Sequence, residues 1–145
     1  MFTRPLYHSI DTVSRQIHLK LEPASPIPMY LQIVEQIRHR IAAGVVQADD
    51  ELPSVRALAS EHLINPNTVA RAYLELEREG LLCKRRGAGT YISAHASELG
   101  EIHRIRVVRE LLDKALMTAF EFGLTTKQLR TLIDERLSMA KEKSA

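Results

Sequence analysis

Apolar and polar positions along the chain fall into three regimes. Ile17, Leu19 and Leu21 alternate with His18 and Lys20, the two-residue period of a half-buried strand, and prolines at 23, 26 and 28 end it. The alternation predicts a strand at about 16–21, paired with the following domain beside its hairpin. Residues 1–14 hold few large apolar groups and are expected to form a loose arm. From residue 29 the period changes. Tyr30, Ile33, Val34, Ile37 and Ile41 step by three and four, predicting a helix over 29–43, with Gly44 just past its end. A short helix is expected after Pro53, capped by Ser54, with Val55, Leu58 and Ala59 facing inward. A third opens with Asn65 as N-cap and Pro66 at its first position, buries Val69, Ala72, Tyr73 and Leu76, and stops at Gly80. Residues 81–84 and 90–92 then read as two strands around a turn of Arg85, Arg86, Gly87, Ala88 and Gly89.

Beyond residue 97 the pattern is helical again. Ile105, Val108, Leu112, Ala115, Ala119 and Phe122 form one stripe of a helix expected over 100–122, widened by Ile102, Leu111, Leu116 and Phe120. Gly123 ends it. Thr125 with Gln128 makes a capping box, and Leu124 with Leu129 a hydrophobic staple, opening a last helix to about 139. The long helix would span roughly 30–35 Å. Two helices cannot cover so broad an apolar face, so a second copy of the chain is expected to cover it. The fold class is mainly α with a small β-wing (α+β). An arm and strand occupy 1–26, a winged helix-turn-helix 27–93, and a two-helix dimerisation tail 97–145.

Composition mostly removes alternatives. In a chain of 145 residues, 45% apolar residues suffice for one core plus a short appendage. The single cysteine, Cys83, excludes an internal disulfide and multi-cysteine metal sites. Histidines at 8, 18, 39, 62, 95 and 103 lack metal-ligand spacing, and no nucleophile elbow or phosphate loop occurs. No metal, cofactor or catalytic group is therefore expected. Nor does any apolar run reach the length of a membrane span, and the start lacks a signal-peptide stretch, so a cytoplasmic protein without membrane contact is expected.

Two short helices and a tight turn suggest a helix-turn-helix, whose second helix enters a major groove of double-stranded DNA. If the stripe through Val69 and Leu76 is buried, Asn67, Arg71, Leu74 and Arg78 face away, flanked by Thr68 and Ala70. Asn67 can read adenine and Arg71 guanine, while Asn65, Thr68 and the first-turn amides can hold phosphates. The blander alternatives are that Asn65 only caps and that Arg71 pairs with Glu75. Lys84, Arg85 and Arg86 beside Gly87 and Gly89 suit a wing laid against the sugar–phosphate backbone. Residues 27–93 hold eight Lys/Arg and eight Asp/Glu, so DNA affinity must come from placement. Arg56, Arg71, Lys84, Arg85 and Arg86 are expected on one face, and Asp49, Asp50, Glu51, Glu77 and Glu79 elsewhere. A winged helix serving only as a protein–protein scaffold would expose mainly apolar groups on the third helix, where only Leu74 fits.

Several blocks carry a family resemblance: the first helix ending in Gly, the LPSxRxLA stretch from Leu52 to Ala59, NPNTVxRAYxELExEGL from Asn65, and RxGxGT(Y/F) from Arg85 to Tyr91. Together they cover about 65 residues and resemble the winged helix-turn-helix domain of GntR-family bacterial transcriptional regulators. The Asn-Pro-Asn-Thr turn is similar to the YtrA-like and MocR-like branches. A short helical tail in place of an aminotransferase-like domain resembles the YtrA-like branch, where the tail makes a dimer. The resemblance implies DNA contacts at Arg56, Thr68 and Gly87. It also implies repression from a pseudo-palindromic operator and transporter genes as a target class. Pro66 and Ala70 stand where many members place arginines, so those contacts cannot exist here. A small-molecule effector, bound in relatives by large C-terminal domains, would need a site shared between protomers or between tail and DNA-binding domain.

Overall fold

The structure, a computed structural model, describes residues 17–144. The arm expected over 1–14 lies outside them. In chain order they form α1 (Met29–Ala42), α2 (Val55–His62), α3 (Pro66–Arg78), β1 (Leu82–Arg85), β2 (Gly89–Ile92), α4 (Ala96–Glu121) and α5 (Thr126–Ser144). They divide into two compact units, with the boundary inside α4 between Arg104 and Ile105.

The first unit is built on three helices that share one core. Ile33, Val34 and Ile37 of α1, Leu58 of α2, and Val69 and Leu76 of α3 are almost completely buried there, with Ile92 from the hairpin. Local chemistry sets the helix ends. Ser54 Oγ accepts from the Ala57 N–H (3.1 Å) to start α2, and Asn65 Oδ1 accepts from the Asn67 N–H (2.8 Å) to start α3. Tyr73 lies in the core and donates its hydroxyl to the Pro53 carbonyl (2.7 Å), tying α3 to the entry of α2. Burial pushes the Tyr73 phenol well above its ordinary value, so it stays a donor. Arg38 joins α1 to the end of α3 through Glu79, with Nε–Oε2 at 3.0 Å, and also pairs with Glu35. Burial alone would lower the pKa of this guanidinium. The hydrogen bond to Glu79 and the two carboxylate charges outweigh it and raise the pKa.

Between α2 and α3 the chain turns on Leu63, which is left-handed (φ 53°) and 92% exposed. A Leu there carries steric strain that glycine avoids and has no compensating burial. Leu63→Gly is therefore expected to raise stability by about 0.5–1 kcal/mol in urea denaturation.

The hairpin is antiparallel, with Leu82 opposite Ile92, Cys83 opposite Tyr91, Lys84 opposite Thr90 and Arg85 opposite Gly89. Arg85, expected in the turn, ends β1 instead, and the tip shortens to Arg86-Gly87-Ala88. A third segment lies along β2. Asp49 N–H donates to the Ile92 carbonyl (3.0 Å), Ile92 N–H to the Asp50 carbonyl (2.9 Å) and Leu52 N–H to the Thr90 carbonyl (2.9 Å).

That pairing corrects the expected strand at 16–21. The outer edge of β2 is taken, and residues 17–22 lie outside the sheet, hydrogen-bonded to side chains of α1. Ile17 and Leu19 are buried while His18 and Lys20 are exposed, so the alternation reported burial correctly. The backbone partners are glutamine side chains. Gln36 accepts from Lys20 N–H at Oε1 (2.8 Å) and donates Nε2 to the Lys20 carbonyl (2.6 Å). Gln32, one turn earlier, does the same for Glu22 (2.9 and 3.0 Å). Each side-chain amide replaces one peptide of a neighbouring strand.

The start of α4 also belongs to this unit. Ala96 and His103 are buried, and a Cβ built on Gly100 would lie 3.2 Å from Ala42 Cα and 3.3 Å from the Ile41 carbonyl oxygen. The helix begins at Ala96, ahead of the expected residue 100, because its first turns pack on the C-terminal end of α1.

The second unit holds the rest of α4, a turn at Gly123 (φ 75°) and α5. The expected capping box is present. Thr125 N–H donates to Gln128 Oε1 (2.9 Å), and Gln128 N–H to Thr125 Oγ1 (3.2 Å). Beyond the expected end at 139, α5 continues to Ser144, yet none of its described residues is buried. In this unit Ala119 alone among the described residues is buried.

Candidate nucleic-acid interface

The buried stripe of α3 leaves a polar strip on the opposite side. Asn65, Asn67, Ala70, Arg71, Leu74 and Arg78 are exposed and Thr68 half-exposed. The expected free amides at the head of α3 are absent. Pro66 has no N–H, that of Asn67 goes to Asn65 Oδ1, and that of Thr68 goes to the Asn65 carbonyl (3.0 Å). Any phosphate grip at this end falls to side chains: the Asn65 amide nitrogen, the Thr68 hydroxyl, and exposed Arg56 in the first turn of α2.

Arg71 does not pair with Glu75. Its guanidinium lies over the Tyr30 ring of α1, 3.7 Å from the centroid, and Glu75 stands 3.9 Å from Arg78. The spacing of Tyr30 marked it only as part of the apolar stripe, although a Tyr there is only half-buried.

The wing cations are held in different ways. Along β1 side chains alternate, so Lys84 and Arg85 point to opposite faces. Lys84 Nζ lies 3.5 Å from Glu77 Oε1 of α3. Arg85 pairs with Asp49 and stacks on Tyr91, 4.3 Å from its centroid. Arg86, at the tip beside Gly87 (φ 71°), is exposed and makes no ion pair among the described residues. The expected segregation of charge is therefore corrected. Glu79 is drawn off to Arg38, but Asp49 and Glu77 sit against the wing, because the third segment and α3 flank it. Arg56, Arg71 and Arg86 remain without carboxylate partners among the described residues.

Of the six residues expected at a dimer interface, Ile105, Val108, Leu112, Ala115 and Phe122 are exposed, and Phe122 is 78% accessible. Ala119 instead is covered by its own chain, where its carbonyl accepts from Leu124 N–H (2.9 Å) at the turn. Leu132, Ile133, Leu137 and Met139 of α5 add to the apolar surface. Cys83 is half-buried, and no group of His, Cys, Asp and Glu among the described residues is placed to hold a metal ion. No described helix is long and apolar enough to cross a membrane.

Comparison with known proteins agrees with this geometry. A family model described as "Bacterial regulatory proteins, gntR family" matches residues 29–92, from the start of α1 to the end of β2. The HTH-type transcriptional repressor YtrA of Bacillus subtilis (strain 168) is 38% identical over 117 residues, covering 81% of this chain and 90% of the relative. Among solved structures, a transcriptional regulator from Oenococcus oeni superposes with a TM-score of 0.73 at 31% identity, covering 81% of this chain and 97% of that one. YtrA from Sulfolobus acidocaldarius, a GntR-family transcription factor, gives 0.51 at 32% identity over 65% of this chain and 97% of its own.

Proposed function

Since the chain belongs to the GntR family of bacterial regulatory proteins and is a DNA-binding transcriptional regulator, we propose that it acts as a cytoplasmic homodimeric repressor on a pseudo-palindromic operator. Each protomer lays the N-terminal half of α3 in a major groove and the tip Arg86-Gly87-Ala88 in the adjoining minor groove. Asn67 and Arg71 read bases. Asn65, Thr68, Arg56 and the wing cations hold the backbone. The exposed stripe of α4, with α5, covers its counterpart on the second protomer. No step in this reading is catalytic. Transporter genes are the target class that the family resemblance implies, and a small-molecule effector, where one acts, binds between protomers.

The observation that carries the reading is the partition of α3. Four apolar residues lock one side into the core, and the other side presents Asn67 and Arg71 one helical turn apart. Asn67→Ala is expected to cost about 1–3 kcal/mol of operator affinity and to relax preference at one base step. Competition binding with operators substituted at each position measures both, and an unchanged base preference would overturn the assignment.

The carboxylates against the wing give a second expectation. Asp49→Asn and Glu77→Gln release Arg85 and Lys84 to phosphates. Each is expected to tighten DNA binding a few-fold at low salt and to steepen the dependence of log K on log salt by up to about one. The Arg85–Asp49 pair is exposed, so Asp49→Asn changes folding stability little, whereas Glu77 is half-buried and a thermal melt of Glu77→Gln accompanies the binding measurement. A salt titration by fluorescence anisotropy measures the slope. A slope unchanged in both variants would place the wing off the backbone.

A further inference from the structure

We propose that Tyr30 is a positioning residue that aims Arg71 at DNA, a role that rests on reading Arg71 as a DNA contact. Three observations converge. Tyr30 sits in the first turn of α1, half-buried and packed on the core, so its ring is a fixed platform. The guanidinium of exposed Arg71 lies over that ring at 3.7 Å from the centroid. Glu75, one turn along α3, stands 3.9 Å from Arg78, and Arg71 has no carboxylate partner among the described residues.

The kind of restraint matters. An unrestrained arginine loses much rotamer freedom when it docks, which subtracts from affinity. A carboxylate could restrain it, as Asp49 does Arg85, but would cancel the charge that a phosphate or guanine is to meet. An aromatic face restrains the guanidinium through its quadrupole and adds no counter-charge. A ring over the guanidinium occupies one flat face and leaves the N–H donors in the plane. That is the fork required to reach guanine O6 and N7, or two phosphate oxygens. The fold thus treats its cations differently. Lys84 is held by a carboxylate, Arg85 by a carboxylate and a ring together, and Arg71 by a ring with no carboxylate among the described residues.

The test is a double-mutant cycle on the full-length chain, with a duplex that the wild type selects from a randomised library. Tyr30→Phe keeps the aromatic face, and Tyr30→Leu keeps bulk without it. Tyr30→Leu is expected to weaken binding about three- to tenfold, and Tyr30→Phe by no more than about twofold. In an Arg71→Ala background Tyr30→Leu is expected to have no further effect. Thermal melts of each variant report any loss of fold, which would be equal with and without Arg71. Equal losses from Tyr30→Leu in both backgrounds would overturn the proposal, since Tyr30 would then act independently of Arg71. Equal losses from Tyr30→Phe and Tyr30→Leu would also overturn it, by assigning the effect to the hydroxyl. Unchanged binding by Arg71→Ala alone would instead remove Arg71 from the interface while leaving the regulator reading in place.

Discussion

Leu112→Glu is expected to convert the chain to a monomer and to weaken operator binding at least about a hundredfold. Leu112 is half-exposed in the middle of a stripe with Ile105, Val108 and Ala115, all exposed. The second unit has almost no core of its own, and α5 buries nothing among its described residues. An apolar surface of that extent signals an interface. In a two-fold assembly one substitution appears in both protomers, so two carboxylates enter the apolar seam without partners. Losing the dimer removes the effective concentration that the first half-site confers on the second, which is worth about 10²–10⁴ in affinity. Sedimentation velocity measures the mass, anisotropy the binding, and far-UV circular dichroism whether the first unit still folds. A variant that stays dimeric and binds at wild-type strength would contradict the assignment of this face.

The second large effect is on stability. Gly100→Val is expected to destabilise the first unit by roughly 3 kcal/mol, and Gly100→Ala by about 1 kcal/mol. In an open helix Gly→Ala would instead stabilise by about 1 kcal/mol, because alanine is the better helix former. Here the added Cβ meets Ala42 Cα at 3.2 Å, the Ile41 carbonyl oxygen at 3.3 Å and Ala42 N at 3.4 Å. All three are backbone atoms, which cannot swing aside as a flexible side chain would. A β-branched residue adds two more carbons at the same crossing. Chemical denaturation decides the sign. A Gly100→Ala chain more stable than wild type would mean that α4 and α1 do not approach as described.

Gly100 also shows where sequence reasoning stops. A glycine just ahead of an apolar helical stripe reads as a helix start, and nothing local says that another backbone crosses there. Helices α1, α2 and α3 were legible because their information is local: a stripe stepping by three and four, Ser54 and Asn65 as caps, Gly44 and Gly80 at the ends. The wing was legible from its two glycines. The strand at 16–21 was misassigned for a physical reason. Alternation reports that one face is buried and is silent on which groups satisfy the backbone, and here Gln32 and Gln36 do so. The segment at 49–52 that takes the edge of β2 has no alternation to reveal it. Most of what the interface reading missed is tertiary. Arg85 meets a carboxylate 36 positions away, and Arg71 leaves a neighbour on its own helix for a ring on α1.

The central claim is that two copies of α3 read two half-sites of one operator. Selection of duplexes from a randomised library by the full-length chain tests it most directly. The account predicts convergence on an inverted repeat, with half-sites set apart by about one helical turn of DNA or a multiple of it. Failure to converge, or convergence on one unrepeated half-site, would contradict it.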